Sequence, residues 1–211
     1  MTLAKWFFLF MTTVAWGIGV ALVVGMFVLF IDPDYTPFKI GLEGLGFNVL
    51  GTALVGATLG AFSHMGFFAY LTAHFFAQGF FRSKLLWVYV QIFITAGVIF
   101  YTFRYIVMHV PEGENILPYI AFPILLIIAA IPITHFKVKQ TNQSSIVPTL
   151  FFLIAVTLLE AVPALRESNP NTTALMLFPF FVCNAWQILQ LHRLLGTKND
   201  TKSAGSKELA R

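Results

Sequence analysis

Few side chains in this sequence could do acid–base or metal chemistry, and their spacing works against it. His64 and His74 could ligate a metal or relay a proton, but ten positions of helix turn them well away from each other, and no carboxylate stands near them in the chain. Cys183 is the only cysteine, which excludes an intramolecular disulfide, a paired-thiol redox motif and a Cys-rich zinc site. It is expected to pack as a small apolar residue. The chain has no His-Glu-x-x-His zinc motif, no Gly-x-Ser-x-Gly nucleophile elbow and no Gly-x-x-x-x-Gly-Lys-Ser/Thr phosphate loop. No catalytic residue, metal ligand or cofactor is therefore expected. An enzyme acting on a lipid through a scattered histidine or amide stands only as a third reading.

Glu160 falls inside an apolar run, where a carboxyl is costly enough to be paired, neutral or open to an aqueous cavity. Arg104, near the outer end of the third run, lies at a comparable expected depth, so a Glu160–Arg104 ion pair between helices is one solution. The other is a polar path for a small solute, lined by Glu160, Arg104, Asn184 and Gln187. Amides such as Asn184, Gln187 and Gln91 otherwise serve to hydrogen-bond neighbouring helices.

A denser pattern occupies 63–82, SHMGFFAYLTAHFFAQGFFR. Tyr70, His74, Gln78 and Arg82 recur every four residues and form one slowly drifting helical stripe, with Phe67, Phe68, Leu71, Phe75 and Phe76 on other faces. Such a segment suits the inner end of a long tilted span, or a helix lying in the interface with its rings at headgroup depth. Followed by Lys84, the stripe is a candidate partner surface; anchoring at anionic lipid is the simpler use.

The elements that would position these residues follow from composition. Apolar residues make up 58% of the 211 and charged ones 10%, against about 25% charged in an ordinary soluble domain. Apolar runs near 6–31, 40–81, 85–108, 116–136, 146–165 and 172–195 are each long enough to cross a bilayer as a helix, and the second is too long for one simple span. The first run is about twice the length of a signal-peptide core and lacks a small-residue cleavage site, so it reads as a retained helix. Backbone groups cannot be left facing lipid, and the runs lack the alternation of a barrel. The expected fold is all-α, a polytopic membrane protein of about six transmembrane helices.

Placing both termini in the cytoplasm puts ten of the thirteen basic residues on that side: Lys5, Arg82, Lys84, Lys137, Lys139, Arg193, Lys198, Lys202, Lys207 and Arg211. Lys39, Arg104 and Arg166 remain outside, and the acids Asp32, Asp34, Glu112, Glu114 and Glu167 fall in the outer loops. The net charge of +4 thus reflects topology, and its scattered carriers form no face for nucleic acid. One transmembrane domain at 1–195 and a short polar cytoplasmic tail at 196–211 are expected. No internal repeat of the kind that builds secondary transporters is visible. Gly17, Ala21 and Gly25, and likewise Gly56 and Gly60, recur every four residues and let helices approach closely. Packing within the chain is their expected use, dimerisation the alternative.

The stretch at 63–91, SHMGFFAYLTAHFFAQGFFRSKLLWVYVQ, goes beyond a generic span. It resembles the KinB-signalling pathway activation proteins (KbaA) of spore-forming Gram-positive bacteria, as do the length and multi-span organisation. The strongest part is MGFFAYLT at 65–72, followed by Phe81, Arg82, Ser83, Leu86, Trp87, Val90 and Gln91. The resemblance implies a multi-pass cell-membrane protein that promotes activation of a sensor histidine kinase, directly or indirectly, in the phosphorelay for sporulation initiation. Its implied partners are that membrane kinase and the lipid bilayer. A small-solute transporter or channel is the alternative. The resemblance carries no catalytic or ligand role onto His64, His74, Arg82 or Glu160.

Overall fold

In the computed structural model, residues 3–31, 37–81, 83–111, 113–167 and 169–208 are described, with 31, 37–43, 192 and 194–208 described by their backbone alone. Regular structure among them is helical throughout. Four long helices come first: α1 (Leu3–Ile31), α2 (Pro37–Phe80), α3 (Lys84–His109) and α4 (Leu117–Gln140). A broken rod follows, built from a 3-10 turn (Gln143–Ser145), α5 (Ile146–Leu150), a π-helical segment (Phe151–Val156), α6 (Thr157–Glu160) and α7 (Val162–Arg166). The last helix is α8 (Pro170–Glu208).

Among the described residues six helical stretches are long and apolar enough to cross a membrane: Leu3–Phe30, Gly44–Phe80, Lys84–His109, Leu117–Gln140, Gln143–Glu160 and Pro170–Leu191. They fall on the six apolar runs. The over-long second run is one uninterrupted helix, so 63–80 continues α2 and is not a separate element. Its 44 residues make about 66 Å of helix, roughly twice a hydrocarbon core. Large apolar side chains remain exposed along it, including Phe47, Leu54, Phe62, Met65 and Phe80. A helix apolar on its open face as well as its packed face is suited to lipid, where no polar face is required.

The fifth span differs from the unbroken helix expected at 146–165. Pro163 has no N–H for the carbonyl of Leu159 four residues back, and α6 stops at Glu160 before α7 restarts at Val162. Glu160 therefore sits at a helix end. The π-helical turns before it are the most deeply packed part of the rod, with Phe152, Leu153 and Ala155 fully buried. The backbone of α8 runs on to Glu208, past residue 196 where the sequence places the start of a tail.

α1 and α2 meet at their small residues. A Cβ on Gly56 would lie 2.6 Å from the Gly17 oxygen and 2.7 Å from Ala21 Cβ, and one on Gly60 would lie 2.8 Å from Val14 Cα. One on Gly25 would lie 2.8 Å from Thr52 Cγ2. Both small-residue stripes are thus used for packing within one chain. α8 lies against α1, α2 and α4, while α3 rests on the broken rod. The core between them includes Leu9, Leu59, Phe67, Phe152, Leu158 and Leu177. Cys183 is fully buried, its thiol donating to the Thr13 carbonyl at 3.4 Å.

Candidate functional site

Three elements meet at a polar knot inside this apolar core. Asn184 and Gln187 stand three residues apart on α8 and so share a face. α2 presents Ser63 to them, and α6 presents Thr157 and Glu160. The Ser63 hydroxyl donates to Asn184 Oδ1 at 2.9 Å and accepts from Gln187 Nε2 at 2.8 Å. Asn184 Nδ2 donates to Thr157 Oγ1 at 3.0 Å and to Glu160 Oε2 at 2.7 Å. Ser63, Thr157, Asn184 and Gln187 are all fully buried. Hydrogen bonds between membrane helices are worth about 0.6 kcal/mol each on average, so the knot sets the register of three helices more than it adds to their stability.

Glu160 Oε1 and Gln187 Oε1 have no hydrogen-bond partner among the described residues. Glu160 Oε1 points at Gly66, where any Cβ would run into it. A side chain at the glycine of MGFFAYLT would therefore have to displace the carboxyl end of the acid on α6. Arg104 is exposed on α3, and the structure does not bring it to Glu160. Lys84 and Ser145, at the starts of α3 and of the rod, line one cavity and so mark a common end. From that end Arg104 lies roughly 30 Å along its helix and Glu160 roughly 20 Å along the rod.

Along the predicted stripe burial falls towards the helix end, with Tyr70 buried, His74 half-buried and Gln78 exposed, and Arg82 lies outside the described residues. Tyr70 is buried against Phe151 and Phe152, and its hydroxyl donates to the Pro148 carbonyl at 3.4 Å. The Trp87 indole of α3 donates to His74 Nδ1 at 2.9 Å, while His74 Nε2 lies 2.8 Å from the Gln78 amide. An indole N–H can only donate, so a singly protonated His74 ring carries its hydrogen on Nε2 and pairs with Gln78 when that amide turns its oxygen to the ring. His64 is apart from this cluster, packed against Trp6, Phe10 and Phe68. Among the described residues no three His, Cys, Asp or Glu side chains gather closely enough to hold a metal ion.

The outward face of this part of α2 is aromatic. Phe75, Phe76 and Phe80 are 74%, 67% and 83% exposed, and Gly79 between them borders open space. Thr72, Phe75, Phe76, Gly79 and Phe80 follow the i, i+3, i+4, i+7, i+8 spacing of a single helix face. That spacing marks one aromatic face in the sequence, but not the direction in which it points. Trp87 and Ser63 were less legible, because each acts through a partner on another helix.

The sequence profile of a family described as KinB-signalling pathway activation in sporulation matches residues 17–194. The chain is also similar to the KinB-signaling pathway activation protein of Bacillus subtilis (strain 168), with 37% identity over 138 residues, covering 65% of this chain and 70% of that protein. No solved structure matches.

Proposed function

Because this chain belongs to the KinB-signalling pathway activation family, we propose that it is a multi-pass cell-membrane protein that promotes activation of a sensor histidine kinase in sporulation initiation, without catalysing a reaction itself. The observation that carries this reading is the family match, which spans 17–194 and takes in both the polar knot and the aromatic ridge. Residence in the bilayer is supported by the six apolar helices and their exposed apolar side chains. The loop distribution of Lys and Arg supports cytoplasmic termini. The end of the bundle bearing Lys84, Lys137 and Lys139 then faces the cytoplasm.

A modulator of this kind must bind one kinase state better than another, since equal affinity for both shifts nothing. A tenfold shift needs about 1.4 kcal/mol of preference, and one well-placed aromatic pair supplies about 0.5–1.5 kcal/mol beyond its buried area. The ridge of Phe75, Phe76 and Phe80 is the surface where the kinase's membrane segment docks. Behind it, the Tyr70, His74 and Trp87 contacts hold the helix in place. Kinase-dependent sporulation should fall in a strain lacking the protein, return with the wild-type chain, and return only partly with the Phe76→Ala/Phe80→Ala variant. Unchanged sporulation in the deletion strain would sink the reading.

A further inference from the structure

A cavity of about 420 Å³ opens where the end of α2, the start of α3, the end of α4, the start of the broken rod and α8 converge. Two buried polar side chains in its wall are incompletely satisfied by the protein. Gln91 is fully buried, and neither its amide oxygen nor its nitrogen has a hydrogen-bond partner among the described residues. Lys137 is 4% exposed and donates to the Ile188 carbonyl at 2.6 Å, which occupies one of the three hydrogens of an ammonium. Among the described residues no Asp or Glu lines the cavity, and a second cation, Lys84, stands exposed at its rim. The rest of the wall is largely apolar, with Leu71, Trp87 and Leu191 among it.

Cations without acids call for an anion, since a buried charge is costly unless it is paired and hydrogen-bonded. The buried amide nitrogen adds a neutral donor, and the apolar wall adds a place for a hydrocarbon body. We propose that this cavity binds a phosphate-bearing ligand, its oxygens on Lys137 and Gln91 with Lys84 at the mouth, and its apolar attachment along Leu71 and Trp87. A phosphate offers more acceptor oxygens than a carboxylate and can face donors on several walls at once. The same chemistry is presented by an anionic phospholipid headgroup and by a soluble phosphate ester. The inference stands on the cavity alone and does not depend on the kinase.

The test is thermal unfolding of the purified full chain in non-ionic detergent, titrated with dihexanoyl phosphatidylglycerol, dihexanoyl phosphatidylcholine or glycerol 3-phosphate. At roughly a hundredfold above Kd the phosphatidylglycerol should raise the melting temperature by about 5 °C, and the zwitterionic lipid should not match it. An equal shift with glycerol 3-phosphate assigns the site to a soluble ester, and no shift with it assigns the site to lipid. Gln91→Leu removes two unpartnered groups and should fold at least as well as the wild type, yet lose most of the shift. Lys137→Met should lose it too. A full shift in Gln91→Leu, or no shift of the wild type with either anionic probe, would overturn the proposal.

Discussion

The Glu160 carboxyl occupies the space that a methyl group on Gly66 would take. Gly66→Ala should displace the Glu160 carboxyl and strain its bond to Asn184, a loss of about 0.5–1.5 kcal/mol that the better helix propensity of Ala partly offsets. The loss should shrink when Glu160 is also changed to Ala, giving a coupling of at least about 0.5 kcal/mol in a double-mutant cycle of unfolding free energies; additive losses would contradict the contact. Arg104 behaves differently, because it is exposed and apart from Glu160. Arg104→Gln should change stability by no more than about 0.5 kcal/mol, whereas breaking a buried ion pair would cost about 3–5 kcal/mol. At this scale the sequence is half legible. Asn184 and Gln187 read as helix-joining amides and are so, but Ser63 and Thr157 do not advertise themselves as their partners. Hydroxyl residues in helices commonly bond their own backbone four residues back, as Thr13, Thr58 and Thr134 do here. Only the packing of three helices shows which ones bond outward.

The six long apolar stretches are legible because hydropathy and length alone identify them. The break in the fifth was signalled by Pro163, whose missing donor ends α6 at Glu160. The π-helical turns carry no such signal, since their pitch answers to packing around Phe152 and Leu153. The facing of α2 was not legible either: where lipid replaces water, an apolar face can point outward, and Tyr70 turns in while Phe75, Phe76 and Phe80 turn out. The small-residue stripes were read correctly as a packing device. Gly56→Val would push α1 and α2 apart and should cost at least about 2 kcal/mol, in the range of overpacked cores. Because the contact is within one chain, the loss in melting temperature should not vary with protein concentration. A loss that disappears on dilution would point to a dimer seam.

For the whole molecule, composition alone separates a membrane bundle from a soluble domain, while the outward facing of the aromatic ridge proposed as a partner surface emerges only when the helices are assembled. The proposed topology places Ser144 on the cytoplasmic side and Glu114 outside. In a Cys183→Ser background, a cysteine at 144 should react with an impermeant maleimide only in inverted vesicles, and one at 114 only in intact cells; the reverse pattern would invert the topology. A photo-crosslinker at Phe76 or Phe80 should capture the sensor kinase in native membranes, whereas one at the buried Phe67 should capture none. The central claim is that the chain shifts a kinase towards its active state. The most direct measurement is the phosphorylated fraction of the sensor kinase in membranes from otherwise matched cells with and without the protein. A higher fraction is expected when the protein is present and an intermediate one with Phe76→Ala/Phe80→Ala. Equal phosphorylation with and without the protein would contradict it.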